Sequence, residues 1–174
     1  MFKNAIATAA LLTLSVAGTA MAATSTSSFE ARIIITKTCD VTTTAPTHLD
    51  FGTVAAGATN VDTTSTITVR CSKGTPYSIA LSPTGSSTTG AGTMAALNVA
   101  PTAGNTDAVP YQLYSNAARS QVWGSQGGTG GNVKSGTGQG LGVTSDTHTV
   151  YGRVPGTDYT PDSYKDTVTV TLTY

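Results

Sequence analysis

Charge is scarce in this 174-residue chain: Asp, Glu, Lys and Arg make up only 10% of it, nine acidic against nine basic. With so few Lys and Arg there is no basic stripe to neutralise phosphates, so nucleic acid is excluded as a partner. Weak self-repulsion suits a subunit packed against copies of itself better than a free monomer. Histidine is nearly absent too. His48 and His148 stand in Thr-rich stretches with no Cys or second His at ligand spacing, and read as solvated or strand-edge residues. The serine signatures G-x-S-x-G and S-x-x-K do not occur, and Val133 occupies the place where a P-loop needs Gly before Lys134-Ser135. Asp158, Asp162 and Asp166 recur every four residues, but the intervening Thr, Pro and Tyr give no calcium-loop spacing. Turn and strand-start roles are expected for them. The sequence therefore offers no catalytic residue, no metal site and no cofactor site, and the expectation is a protein that is not an enzyme.

Long hydrophobic runs are missing as well. The N-terminus has a cationic Lys3, a short apolar stretch over 5–17 and Ala20-Met21-Ala22, which fits the small-x-small rule for an export signal cleaved after Ala22. No later run approaches the ~20 apolar residues that a membrane span requires. The expectation is a signal peptide at 1–22 and a soluble mature chain outside the cytoplasm, large enough for one domain. The two cysteines, Cys39 and Cys71, lack a C-x-x-C partner or a nearby His, and an even count in an exported chain reads as one structural disulfide.

What is abundant is Thr, with 35 residues, and Gly, with 19, and that composition points to β-structure with many turns. Strands are predicted at 29–38, 49–54, 65–71, 77–82, 95–99, 109–114, 121–123, 148–154 and 167–174. Helical periodicity is not found over any stretch of 12 mature residues, although 115–119 suits a turn. Short strands between Gly, Pro, Ser and Asn clusters suggest a Greek-key sandwich. The Gly-rich segment 124–142 reads as a flexible loop.

The two ends of the mature chain differ from the rest. Residues 167–174 alternate Thr with Val168, Val170, Leu172 and Tyr174, a half-buried strand with no Pro, inward charge or Gly to protect an exposed edge. The sequence stops there, so no following strand is expected to cover it. At the other end Phe29, Ala31, Ile33 and Ile35 alternate after a tail of small residues. Ile34 makes the apolar run continuous, and a one-residue slip would turn it inward instead. On the residues alone, 29–38 can equally pair within its own sandwich.

Several blocks carry a family resemblance. Tyr111-Gln-Leu-Tyr-Ser-Asn-Ala-Ala-Arg119, Val122-Trp123-Gly124, Val150-Tyr-Gly-Arg-Val-Pro155 and the terminal strand appear in order, after Leu49-Asp-Phe-Gly52, Val69-Arg-Cys71 and Gly74-Thr-Pro-Tyr-Ser-Ile-Ala-Leu81. Together they span nearly the whole mature chain. The sequence resembles the spore coat protein U domain family, which includes major subunits of archaic chaperone-usher pili of Gram-negative bacteria.

The resemblance implies an all-β fold, an incomplete immunoglobulin-like sandwich completed by a donor strand from a neighbouring subunit. It implies a donor extension at 23–38 carrying Phe29, Ala31, Ile33 and Ile35, and a pilin domain at 39–174 whose groove is edged by Val168, Val170, Leu172 and Tyr174. The implied partners are other copies of the chain in a homopolymer, a periplasmic chaperone, an outer-membrane usher and tip or minor pilus subunits. The implied location is the cell-surface pilus, and the implied biology is surface attachment and biofilm formation. Two other readings stand beside it. One is a secreted carbohydrate-binding or adhesin module using Trp123, Tyr111 and Tyr151 to stack on sugars; the other is an outer coat protein.

Overall fold

The computed structural model describes residues 23–42, 48–85, 87–98, 104–142 and 145–174. The expected signal peptide at 1–22 lies outside them, as does Val99 at the end of one predicted strand. The chain divides into two units, Met1–Ile34 and Ile35–Tyr174. In the first, described residues 23–34 form no regular element, and their side chains are exposed.

The second unit is all-β, with no helix among its described residues. Its strands are β1 (Cys39–Thr42), β2 (Thr59–Cys71), β3 (Pro76–Pro83), β4 (Ala91–Ala96), β5 (Ala108–Tyr114), β6 (Lys134–Thr137), β7 (Asp146–Gly156), β8 (Tyr164–Lys165) and β9 (Val168–Thr173). They form a six-stranded sheet in the order β1-β2-β7-β5-β4-β8 and a three-stranded sheet in the order β6-β3-β9. Alternation places one side chain in two between the sheets. Ile67 and Val69 of β2, Val109, Tyr111 and Leu113 of β5, and Val150 and Val154 of β7 meet Tyr77, Ile79 and Leu81 of β3 in one core. Trp123 is fully enclosed between them and donates its indole N–H to the carbonyl of Ile79 at 2.9 Å.

Several predicted elements are corrected. The expected strand at 29–38 is not present; strand structure begins at Cys39. The segment 49–54 is a loop, turned by Gly52 at φ 70°, and Leu49 and Phe51 pack from it against the core. β2 starts six residues earlier than predicted, because its first inward positions beyond Val61 are Thr63 and Ser65, which carry little hydrophobic signal. β4 lies at Ala91–Ala96 rather than 95–99, and 121–123 contributes one bridge, Val122 to Tyr114. The Gly-rich segment is no mere loop: it contains β6, which pairs with β3 from Pro76 opposite Thr137 to Ile79 opposite Lys134.

Candidate functional site

β9 is formed by the alternating residues read from the sequence, with Val168, Val170 and Leu172 half-buried and Thr169, Thr171 and Thr173 exposed. It pairs with β3 on one side, Val170 opposite Leu81 and Leu172 opposite Ile79. Its other side is the edge of the sheet. Tyr174 follows the same alternation but is 47% exposed, with the Lys37 ammonium 6.0 Å from its ring centroid.

Beside this edge the two sheets stand apart around a cavity of about 780 Å³. Ile67, Leu113 and Val150 line it from the larger sheet, Leu81, Val168 and Val170 from the smaller, and Leu49 and Phe51 from the connecting loop. A second cavity of about 450 Å³ adjoins it and shares Leu49, Asp50, Phe51, Met94 and Tyr164 with it. Protein interiors normally leave few voids larger than one water, ~30 Å³. This space is mostly apolar in lining and open to solvent, so it is a surface groove rather than an interior void. Leu49 packs closely over Gly152: a Cβ there would lie 2.6 Å from Leu49 Cδ2, so a larger residue would make the leucine side chain shift.

A polar contact crosses the groove. The Tyr111 hydroxyl donates to Asp166 Oδ2 at 2.7 Å, and the backbone N–H of Thr167 donates to Asp166 Oδ1 at 2.7 Å. Burial pushes the Tyr111 phenol far above its ordinary value, and the bond to Asp166 pushes in the same direction. Tyr111 is therefore a neutral hydrogen-bond donor holding the start of β9.

Cys39 and Cys71 are joined by a disulfide, with Cα atoms 4.1 Å apart, where β1 begins and β2 ends. Phe29, Ile33 and Ile35 are 93%, 84% and 82% exposed; Ile34 is equally open at 92%, so exposure does not choose a register. Ala31 is exposed with them. The residues that sequence reading missed are Phe51, Met94, Tyr164 and Asp166 in the groove wall. Leu-Asp-Phe-Gly at 49–52 was visible as a motif, but nothing local tells a strand from a loop dipping between sheets.

The aromatic residues proposed for sugar stacking are not available to a sugar. Trp123 is 0% and Tyr111 is 5% exposed, and Tyr151 is half-buried with the Arg119 guanidinium 5.9 Å from its ring centroid. His148 is not a solvated histidine either. Its Nε2 lies 2.8 Å from the Tyr77 hydroxyl, which donates to Asp146 Oδ2 at 3.0 Å, and the Trp123 ring meets it edge-on. Burial lowers its pKa, Asp146 opposes that shift, and Lys134 reinforces it. His48 is exposed, and Asp162 accepts locally from the backbone N–H of Ser163 and, across the fold, from the backbone N–H of Asn98 and from Asn105 Nδ2. No group of three or more potential metal-binding side chains occurs among the described residues.

Residues 25–171 match the Spore Coat Protein U domain family. The chain belongs to that family. No curated protein sequence matches it. Among solved structures it is similar to the crystal structure of the CsuC–CsuE chaperone–tip adhesion subunit pre-assembly complex from archaic chaperone-usher Csu pili of Acinetobacter baumannii. The TM-score is 0.51 and the identity 18%, over 80% of this chain and 40% of that one. That likeness is one of fold, and this chain spans two-fifths of the length of the chain it matches.

Proposed function

We propose that this protein is a structural, non-enzymatic subunit of an archaic chaperone-usher pilus that polymerises by donor-strand complementation. The observation that carries this reading is the unpaired edge of β9 beside an apolar groove walled by both sheets. A strand laid along β9 would extend the three-stranded sheet, gain ladder hydrogen bonds and place alternate side chains in the groove. Family membership and the fold of the Csu complex support the same reading. The occupant is the segment 23–38 of another copy, with 39–174 as the receiving domain.

The physics of that occupant is adequate. Extended residues 24–36 span roughly 43 Å at about 3.3 Å per residue, longer than the six residues of β9. Burying Phe29, Ile33 and Ile35 contributes roughly 5–8 kcal/mol before the ordering entropy of the strand is subtracted. With Phe29, Ala31, Ile33 and Ile35 inward, Glu30 and Arg32 stay in water; the slipped register would bury both charges.

Export through the periplasm, a chaperone that occupies the groove before assembly, an outer-membrane usher, and tip or minor subunits complete the proposal. Its biology is surface attachment and biofilm formation. Electron microscopy and sedimentation of the purified mature protein test it. Filaments are expected from the full chain, and deleting residues 23–36 should abolish them; identical particles from both would refute the reading.

A further inference from the structure

Resting on the donor reading, a filament under tension pulls on each subunit through Thr38, where the extension joins the domain, and the fold offers that pull two routes. The first is the backbone of β1, a strand of four residues at the edge of the larger sheet, paired with β2. Beyond β1 the chain passes through Leu49 and Phe51, which wall the groove, before it reaches β2 at Thr59. The second route is the Cys39–Cys71 disulfide, which joins the same point directly to the last residue of β2. A pull carried by the backbone would peel β1 away and draw Leu49 and Phe51 out of the wall. A pull carried by the disulfide passes them by.

Three features favour the second route. Thr38 N–H donates to Ser72 Oγ at 3.1 Å and Ser72 N–H donates to the Thr38 carbonyl at 2.9 Å, so the pairing continues past β1 and Thr38 stays in line with the strands. Cys71 is firmly anchored where the load arrives: it is 2% exposed, its carbonyl accepts from Gly140 N–H at 3.0 Å, and Arg70 beside it donates to the Leu141 carbonyl at 2.7 Å. β2 then pairs with β7 from Val69 opposite Asp146 to Thr59 opposite Gly156. Antiparallel ladder hydrogen bonds lie perpendicular to the strands, so a pull along β2 shears that whole ladder at once, whereas a short edge strand peels one bond after another. The disulfide also closes 39–71 into a loop that tension cannot straighten, and Leu49, Phe51 and Ile67 of the groove wall all lie inside it.

We propose that the Cys39–Cys71 disulfide is a mechanical bypass: it passes tension from the extension to β2 and shields the groove wall, so that a stretched subunit keeps its hold on the strand it has received. Filaments of the full mature chain, pulled singly in an optical trap, test it. With the disulfide broken, the chain from Thr38 to Thr59 can straighten to roughly 70 Å while β2 spans roughly 40 Å, so each subunit should lengthen in a step of about 30 Å before the filament parts. Cys39→Ser with Cys71→Ser should show those steps, and oxidised wild-type filaments should show none. If the double variant does not assemble, oxidised filaments treated with a phosphine until both thiols are free give the same comparison. Lowered stability alone is separated by Ile79→Ala in the oxidised chain, which truncates the core on β3, outside the groove lining and both routes, and should part without steps. Steps of about 30 Å in oxidised wild-type or Ile79→Ala filaments, or their absence once the disulfide is broken, would overturn the proposal. A wild-type chain that forms no filament would instead overturn the donor reading on which it rests.

Discussion

The two flanks of β3 are finished in opposite ways. On one, β6 pairs along Pro76–Ile79 and Leu81 N–H continues the contact to the Gly124 carbonyl at 2.9 Å, while Trp123 plugs the space behind and bonds Ile79. Tyr77 then ties β3 to Asp146 and His148 of β7, across to the other sheet. On the other flank no strand among the described residues pairs with β9, and the space behind it is the 780 Å³ cavity. The same β-sandwich interior is stitched shut on one side and left unfilled on the other. The closed flank shows that the sequence can fill its core, and this contrast supports the proposal that the open flank receives a strand.

Breaking the open flank should have the largest effect. Val170→Asp places a carboxylate in the groove opposite Leu81, where burial of an unpaired charge is strongly unfavourable. Filament yield should fall to background, whereas Thr169→Ser, on the exposed face, should leave it unchanged; equal yields would contradict the assigned faces of β9. Next comes the disulfide. Cys39→Ser with Cys71→Ser should cost roughly 2–5 kcal/mol, read as a lower denaturant midpoint and reduced subunit abundance.

The closed flank should respond to pH. Burial holds the folded-state pKa of His148 below its ordinary 6.5, so the unfolded chain takes up a proton first as pH falls. The contribution is fully present above about 6.5 and declines as pH drops from there toward the lowered folded value. His148→Gln should flatten the part of the melting-temperature decline between pH 7 and 5 that this group contributes; an unchanged decline would show that carboxylates alone cause it. The smallest effect is expected on the outer face of the larger sheet. Arg153 donates to both Asp62 oxygens at 2.8 and 2.9 Å, and its hydrogen bonds lower the Asp62 pKa. Arg119 Nε also lies 3.1 Å from Asp62 Oδ1, and because Asp62 and Arg153 are partly exposed, Asp62→Asn should lower the melting temperature only slightly.

The open flank was more legible in the sequence than the closed one. β9 announces itself because each inward position is apolar and each outward one is Thr. β5 and most of β7 follow the same rule, with Val109, Tyr111, Leu113, Val150 and Val154 inward. The closed flank depends on residues whose partners are far away in sequence. Nothing near Lys134-Ser-Gly-Thr137 signals a strand, since it forms only because Tyr77 and its neighbours offer an edge. His148 looks solvated until Tyr77, 71 residues away, is placed against it. The groove wall is similarly non-local: Leu49 and Phe51 read as strand residues, but Leu49 packs over Gly152, 103 residues away in β7.

The most direct test is a melting experiment on oxidised protein lacking residues 23–36, with and without a synthetic peptide of residues 24–37. At a peptide concentration of about 100 times Kd, linkage gives roughly 2.7 kcal/mol of stabilisation, and the melting temperature should rise by about 5 °C or more. Ile33→Asp with Ile35→Asp in the peptide should remove that rise. A melting temperature indifferent to the unaltered peptide would contradict the claim that the open flank accepts this strand.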